Sequence, residues 1–475
     1  MLRKSKPESI KALGPRNLLR WAALLGLLLL APASAGARTD AAAAVRLSGD
    51  TLSTPGAQHA TEVEPHAAFA GSTIVSVFQV GRFFDGGSAA NGFSTSTDSG
   101  RTWRSGILPA LTTSSTPPGD ATRATDAAVA FDALHDRWLA ESLSLSAPAS
   151  AVVVSGSADG VTWDPPVTAT SHFRPAPGSG DTNLDKSWIT CDNGASSPFR
   201  GRCYLAYTDF AQAGVNIGVQ SSSDGGRTWS TPTFVRISVD VPGVQPVVRP
   251  NGELVLVFLD RPSTLYAARS SDGGVTFRPR ERIARVRAHQ RRLLPRALRV
   301  FPLPSAAVDG SGVVYAAWSD CRFRRNCGAN DVVLSHSSGT RWATPARIRV
   351  RGLGATADHV LPSLGADPAS RGSHARLSVA FYTLRAAGCA EARCLLDVRL
   401  ATSTTAGRRW STGPRLDARP MRLPWLAATS SGHMVGDYLA SGFSGRRAIA
   451  IFPLAAAPRA NRFDEAIHAV ARAVP

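Results

Sequence analysis

The sequence of 475 residues predicts an all-β fold built from repeated four-stranded units. One observation is a short motif, S-x-D-x-G-x-T-W, that recurs along the chain, and a second is a pair of apolar runs before each copy. The third is the spacing: the motif glycines lie 48 to 68 residues apart, which fits one supersecondary unit per repeat. Because such units leave apolar faces that only neighbours cover, we predict radial stacking in a β-propeller.

The motif itself predicts a tight turn. Its Ser and Asp side chains accept hydrogen bonds from nearby backbone N–H groups, and its Gly adopts a positive φ without steric cost. We therefore expect each copy to connect the third and fourth strands of a unit, with the Trp packed on the sheet. Six segments carry complete, shortened or eroded copies: Ser96–Trp103, Ser157–Trp163, Ser222–Trp229, Ser270–Phe277, Ser335–Trp342 and Ser403–Trp410.

Seven pairs of short β-rich runs predict the first two strands of each unit. The pairs are 64–70 with 73–80, 126–131 with 137–144, 187–192 with 202–208, 244–248 with 254–259, 304–308 with 313–318, 361–366 with 376–383, and 437–441 with 446–452. The first six are followed by the motif and the seventh is not. We expect six or seven four-stranded blades, favour seven, and expect the N-terminal strand near Val45–Leu47 to close the ring.

Both ends of the chain carry other signals. Residues 1–35 are typical of an export signal, with basic residues, the apolar run Trp21–Leu30 and the cleavage pattern Ala33-Ser34-Ala35. The propeller is predicted over residues 36–455. A short helix is predicted in the tail, residues 456–475, because Phe463, Ile467 and Val470 share one helical face.

The six cysteines form three close pairs, Cys191 with Cys203, Cys321 with Cys327, and Cys389 with Cys394. Six cysteines allow 15 connectivities, and the spacing favours the three local bridges. No pair has C-x-x-C spacing and no His cluster accompanies them, so we predict no metal and no cofactor. The bridges and the export signal predict a secreted protein, extracellular or in the cell envelope, with no integral membrane segment after cleavage.

The chain is strongly basic, with a formal charge of +18, of which the six bases and one acid of residues 1–35 account for +5. Nine arginines lie between Arg278 and Arg299 against one acid, Glu281. This stretch is either a patch for acidic polymers or a solvated loop between units. We favour the loop, and we expect no nucleic-acid partner because no aromatic residues alternate with the arginines. The chain is expected to be a monomer.

The recurring motif resembles the Asp-box, or BNR repeat, of the sialidase superfamily, and the resemblance spans residues 96–410. It implies a sialidase-like β-propeller and a glycan or glycoconjugate partner. In that superfamily the boxes are structural turns away from the catalytic face, so Asp98, Asp159, Asp224 and Asp272 are expected to be structural.

The resemblance also implies a site at the mouth of the central channel. Sialidases use an Arg triad for the sugar carboxylate, a Tyr nucleophile activated by a Glu, and an Asp acid/base. Tyr438 resembles the nucleophile, and Gln245 stands at the position of its Glu, where an amide cannot act as a base. The catalytic candidates are therefore Tyr438 with Glu64 or Asp437, and the substrate-binding candidates are Arg82, Arg261, Arg322, Arg385, Gln245 and Asp185.

Three functional hypotheses follow. The first is a secreted exo-α-sialidase-like glycoside hydrolase with a rearranged acid/base set. The second is a non-catalytic propeller that binds glycan or protein, and the third is a scaffold in the cell envelope. The arginines at the strand ends favour the first two, and Gln245 favours the second.

Overall fold

The regular structure of the chain is β-strand. A computed structural model describes residues 44–146, 149–173, 184–210, 216–237, 243–260, 263–289, 297–350, 354–460 and 462–474. Within these ranges no α-helix occurs, and four 3₁₀ helices of three residues each lie at Arg325–Cys327, Gly372–His374, Glu391–Arg393 and Leu423–Trp425. The predicted export signal and Arg261 lie outside the described residues.

The strands form mainly antiparallel units, numbered here in chain order. Units 3 to 6 are separate four-stranded sheets, whereas single residue pairs join units 1, 2 and 7 into one sheet of twelve strands. After β1 (Val45–Arg46), unit 1 contains β2 (Gln58–Ala70), β3 (Thr73–Arg82), β4 (Ser88–Ser96) and β5 (Arg104–Ile107). Unit 2 contains β6 (Arg123–Asp132), β7 (Arg137–Ser146), β8 (Ala149–Ser157) and β9 (Val167–Phe173). Unit 3 contains β10 (Leu184–Cys191), β11 (Cys203–Asp209), β12 (Asn216–Ser222) and β13 (Thr233–Arg236).

The second half of the chain repeats this order. Unit 4 contains β14 (Val244–Val248), β15 (Leu254–Asp260), β16 (Thr264–Ser270) and β17 (Glu281–Arg285). Unit 5 contains β18 (Ser305–Val308), β19 (Val314–Asp320), β20 (Asp331–Ser337) and β21 (Ala346–Arg347), and unit 6 contains β22 (Asp358–Ala366), β23 (Leu377–Leu384), β24 (Leu395–Ser403) and β25 (Met421–Arg422). A hairpin of β26 (Ala427–Thr429) and β27 (Gly432–Met434) leads to unit 7, which contains β28 (Ala440–Ser444), β29 (Arg447–Ala455) and β30 (Glu465–Ala473).

The apolar cores lie between consecutive units rather than inside them. Val77 of unit 1 shares a buried cluster with Trp138 of unit 2, and Tyr382 of unit 6 shares one with Phe452 of unit 7. Ile449 of unit 7 in turn packs with Ile74 of unit 1. The first strands also contact one another in the order β2, β6, β10, β14, β18, β22, β28 and back to β2. Each unit thus buries both faces of its sheet against its neighbours.

The recurring motif forms the turn between the third and fourth strands, as predicted. In the first copy, Ser96 Oγ accepts a hydrogen bond from the Gly100 N–H at 2.9 Å. Asp98 Oδ1 accepts the N–H groups of Arg101 and Thr102, each at 2.9 Å. The aromatic residue at the end of every copy packs against the apolar core between its own unit and the preceding one: Trp103, Trp163, Trp229, Phe277, Trp342 and Trp410.

The structure confirms the seven predicted strand pairs to within a few residues. It also confirms the three local disulfides, Cys191–Cys203, Cys321–Cys327 and Cys389–Cys394. The predicted N-terminal strand near Val45 pairs antiparallel with β30 and supplies the fourth strand of unit 7.

The predicted C-terminal helix is wrong, because residues 465–473 form strand β30. Ile467 and Val470 fit the helical period, but they lie on opposite faces of the strand: Ile467 packs in the core shared with unit 1, and Val470 in the core shared with unit 6. β30 pairs with β29 over its whole length. Without β30 this edge of β29 would be unpaired, and pairing it outweighs the local preference of the sequence for a helix.

Candidate active site

Four of the first strands carry the same irregularity. In β2, β6, β10 and β22, two residues stand opposite one residue of the second strand, which is a β-bulge. The first bulged residue has a positive φ in each case: Glu64 at 54°, Asp126 at 48°, Lys186 at 51° and Leu361 at 52°. None of them is Gly, so each costs conformational free energy, and bulges of this kind redirect side chains.

Three of these four residues bring charged side chains together. Lys186 Nζ lies 3.5 Å from Glu64 Oε1, 3.2 Å from Asp126 Oδ1 and 2.8 Å from Asp437 Oδ2. The Lys186 side chain is 12% exposed, and the three carboxylates are buried. With Asp185 and Arg299, these residues are called the charged cluster below.

Asp437 is the most strongly held carboxylate of the charged cluster. The Arg299 guanidinium donates to both of its oxygens, from Nε to Oδ1 at 2.9 Å and from Nη2 to Oδ2 at 2.6 Å. The Asp437 N–H in turn donates to Glu64 Oε1 at 2.9 Å. Gly436 permits this approach, since a Cβ at that position would lie 2.9 Å from the Glu64 backbone nitrogen and side chain. A bidentate Arg pair of this kind fixes a carboxylate in both charge and orientation.

The environment of the charged cluster shifts the pKa values of its carboxyl groups in opposite directions. Burial, followed by the neighbouring Asp126 carboxylate, raises the pKa of Asp185 to about 7. Burial also raises the pKa of Asp437, but Arg299 and Lys186 outweigh it and hold that pKa well below its usual range. Burial lowers the pKa of Lys186, but its carboxylate neighbours outweigh burial and raise that pKa well above its ordinary value. Near neutral pH, one carboxyl group can therefore carry a proton while another stays ionised.

A cavity borders the cluster between the first strands. Lys186, Asp437 and Tyr438 form one part of its wall. The remaining walls come largely from residues of the first strands, among them His66, Trp188, Gln245, Ser305 and Ser363. The aromatic and hydroxyl groups in its wall are the kinds of group that contact a small polar ligand.

Tyr438 and Trp188 form the aromatic part of this wall. Their rings meet edge to face at 4.9 Å between centroids, and Trp188 contacts His66 in the same way at 4.6 Å. The Tyr438 hydroxyl donates to the Ala127 carbonyl oxygen at 3.2 Å, and burial raises the pKa of Tyr438 well above its ordinary value. Among the described residues, no carboxylate accepts a hydrogen bond from this hydroxyl.

The structure brings together only part of the predicted site. Glu64, Asp437 and Asp185 lie in the charged cluster, and Tyr438 and Gln245 line the cavity. Gln245 Oε1 accepts the Ala306 N–H at 2.7 Å and so joins units 4 and 5.

The predicted arginines separate into two groups. Arg82 is buried and reaches the cluster indirectly, donating from Nη1 to Gln79 Oε1 at 2.7 Å, while Gln79 donates to Glu64. Arg322 instead pairs with Asp320 at 2.7 Å and Arg385 with Asp397 at 2.9 Å, each within its own unit. Neither Arg322 nor Arg385 lines the cavity with Tyr438.

Lys186, Asp126, Trp188 and Arg299 were not among the predicted site residues, although Asp126 and Lys186 lie near the predicted starts of first strands. Lys186 carries a signal that composition alone reveals: it is the single lysine outside residues 1–35 in a chain whose other basic residues there are all arginine. Arg299 carries no such signal, because it ends an arginine-rich stretch in which nothing distinguishes it.

Comparison with known proteins gives similarity of fold only. No family model matches the sequence, and no curated protein matches it. Among solved structures, the chain is similar to a Hadza microbial sialidase (16% identity, TM-score 0.43, 88% of this chain and 66% of that chain) and to the NanB sialidase of Streptococcus pneumoniae (11%, 0.43, 91% and 70%). It is also similar to an α-L-arabinanase of Penicillium chrysogenum (12%, 0.45, 90% and 97%). At this identity and TM-score the likeness does not extend to individual side chains.

Proposed function

We propose that the protein is a glycoside hydrolase that binds its sugar in the cavity between the first strands. The observation that carries the proposal is the pair of carboxyl groups with separated pKa values, Asp185 raised to about 7 and Asp437 held ionised. Glycosidases require such a pair, one carboxylic acid to protonate the leaving oxygen and one carboxylate to stabilise or attack the sugar cation. Asp437 lines the cavity, and Asp185 adjoins Lys186, which also lines it.

The proposed fold is a closed seven-bladed propeller with one four-stranded unit per blade. Its support is the order of contacts between first strands, which returns from β28 to β2, and the apolar core that units 7 and 1 share. The pairing of β1 with β30 places the N-terminal strand in the last blade. In this arrangement the cavity is part of the central channel, where propellers bind ligands.

Four residues of the charged cluster have a proposed role. Asp185 is the general acid, and Asp437 is the carboxylate that faces the developing positive charge on the sugar. Arg299 and Lys186 are positioning residues that keep Asp437 ionised and oriented. Trp188 and Tyr438 offer ring faces or edges to the apolar side of a sugar, and Ser305 and Gln245 offer polar groups to its hydroxyls.

The exo-α-sialidase form of this proposal assigns Tyr438 as nucleophile and Glu64 or Asp437 as its base. Its support is the sequence resemblance and the presence of Tyr438 and both carboxylates at one site. It requires the Tyr438 hydroxyl to leave the Ala127 carbonyl and to contact a carboxylate, because a Tyr whose pKa burial has raised is a poor nucleophile without a base.

Secretion is part of the proposal. The three disulfides are consistent with an oxidising compartment. In the part of the chain that the structure describes, no helix has the length and apolar character needed to cross a membrane.

The test is hydrolysis of a panel of aryl glycosides that includes an α-sialoside and an α-L-arabinofuranoside. Asp185→Asn should lower kcat by about 10²- to 10⁴-fold, the usual contribution of a general acid. The activity of the unmodified protein should fall as pH rises through about 7, since Asp185 then loses its proton. Asp85→Asn is the matched control, because Asp85 is an exposed carboxylate paired with Arg123 outside the cavity wall.

A second candidate is glycan binding without catalysis. One observation favours it. All three carboxylates that contact Lys186 are already paired with its ammonium group, and Glu64 and Asp437 have further partners as well. Absence of hydrolysis on the whole panel, together with glycan binding that Trp188→Ala abolishes, would establish this candidate and refute the enzyme.

A further inference from the structure

The arginine-rich stretch that follows the fourth motif copy is only in part the solvated loop that the sequence favoured. Residues 278–280 and 286–289 are loop, but the residues between them are part of a sheet. Residues Glu281–Arg285 form β17, the last strand of unit 4. Residues 290–296 lie outside the described residues. The exposed arginines here are called the arginine stripe: Arg278, Arg282, Arg285 and Arg287.

A β-bulge keeps the stripe at the surface. In β17, Arg282 pairs with Tyr266 and Ala284 with Leu265, so Ile283 is an extra residue. Without the bulge, strict alternation would place Arg282 and Arg285 on opposite faces. With it, Ile283 and Ala284 are both buried and the two arginines are both exposed.

The positive charge of the stripe is not neutralised locally. Glu281, the one acid between Arg278 and Arg299 in the sequence, is bound by Arg269, whose side chain is 1% exposed and donates from Nε to both carboxylate oxygens at 3.1–3.2 Å. Within the described part of the chain, no carboxylate pairs with the side chains of the arginine stripe. Arg280 differs, because it pairs with Asp260 at 3.2 Å and lies over the Tyr266 ring.

A groove adjoins the stripe. It lies between β13 of unit 3 and residues Val275–Arg280 of unit 4, and is called the outer groove. Its exposed apolar groups are Phe234, 36% exposed, and Val275, 62% exposed. Arg236 and Arg278 both line it, and neither guanidinium has a partner among the described residues.

We propose that the outer groove and the arginine stripe together bind an anionic polysaccharide, one that carries carboxylate or sulfate groups. Extended chain rises about 3.3 Å per residue, so the stripe spans up to about 30 Å, which suits a linear polyanion rather than a single ion. Guanidinium groups form bidentate hydrogen bonds with carboxylate and sulfate groups.

The apolar part of the groove favours sugar over nucleic acid as the occupant. Phe234 offers one exposed aromatic face, which suits one sugar ring, whereas single-stranded nucleic acid needs a row of aromatics for successive bases. Phe277, the other aromatic residue of the groove, packs against the apolar core between units 3 and 4. The proposal does not depend on catalysis in the channel.

The experiment compares binding of heparin, polygalacturonate and a single-stranded DNA oligonucleotide, by calorimetry over a range of salt concentrations. The variant Arg278→Ser/Arg282→Ser/Arg285→Ser should bind both polysaccharides about 100-fold more weakly at low ionic strength. The matched control removes three exposed arginines of other units that have no described side-chain partner: Arg104→Ser/Arg200→Ser/Arg371→Ser. It carries the same net charge and should change affinity by less than about threefold.

Phe234→Ala separates the apolar contribution from the charge. It should weaken polygalacturonate binding while leaving the salt dependence unchanged, because it removes a stacking face and no charge. Equal losses in the two triple variants would overturn the proposal in favour of diffuse attraction by net charge. Oligonucleotide binding as tight as that of either polysaccharide, lost in the stripe variant, would overturn it in favour of nucleic acid.

Discussion

Replacing Lys186 by Met should destabilise the protein strongly and in a pH-dependent way. The Lys186 ammonium is within 3.5 Å of three buried carboxylates, and its side chain is 12% exposed. Removing one partner from a buried ionic network usually costs about 3–5 kcal/mol, because the remaining charges lose their compensation. Arg299 still neutralises Asp437 in the variant, so the uncompensated charge falls mainly on Glu64 and Asp126.

The pH dependence follows from the direction of the pKa shifts. The pKa of Glu64 is already raised by burial, and Lys186 is the strongest influence that lowers it, so it rises further in the variant. An acid whose folded pKa exceeds its unfolded value of about 4.3 loses stability as pH rises from the unfolded pKa to the folded one. The loss of stability in Lys186→Met, relative to the unmodified protein, should therefore be larger at pH 8 than at pH 5.

Urea denaturation at both pH values measures this difference. Lys186→Arg keeps the charge and should retain more stability than Lys186→Met at pH 8. Lys186→Met/Glu64→Gln removes the strained carboxylate as well, and should recover part of the loss as a coupling term in a double-mutant cycle. A loss below about 1 kcal/mol that is the same at pH 5 and pH 8 would refute the electrostatic account of the cluster.

Three further results are expected. Gly226→Ala should destabilise the protein by at least about 1 kcal/mol in thermal melts, because φ is +79° and a leucine side chain would lie 2.7 Å from the new Cβ. Gly339→Ala, in an eroded motif copy, is the control: its new Cβ would meet open space, so its stability should not change. Glu465→Gln should raise stability at pH 8 more than at pH 5, since burial raises the pKa of this carboxyl well above its usual value; a loss at pH 8 would contradict this. Removing the Cys191–Cys203 bridge should cost about 2–3 kcal/mol in urea midpoints, and an unchanged midpoint would show the bridge to be dispensable.

The fold was largely predictable because its determinants are local. Each motif copy closes its own turn, as when Asp98 accepts the N–H groups of residues three and four positions on. The two strands of each pair are likewise joined by a short loop, so the pattern of neighbouring β-rich runs in the sequence is enough to predict them. The exception was β30, whose strand state depends on an edge offered by β29 and on two cores contributed by other units.

The site was less predictable because its geometry depends on side-chain direction across units. Placing Arg322 and Arg385 at the ends of second strands was correct, but position along a strand does not determine where a long side chain goes. Asp320 and Asp397 of the same units bind these two guanidinium groups. Arg299 does reach the cluster, but it lies outside any first or second strand. A prediction based on the ends of those strands therefore cannot find it.

The backbone of the cluster bears on whether it serves folding or function. Glu64, Asp126 and Lys186 all have positive φ, and Gly would occupy the same conformation at lower cost. Leu361 adopts the same bulge in unit 6 with an apolar side chain, so the bulge itself does not require charge. A stable core would be served better by apolar groups than by three buried carboxylates around one ammonium. Strain and burial of charge therefore coincide at the three bulges that meet beside the cavity, and this coincidence supports the proposal that the cluster serves chemistry or binding rather than stability.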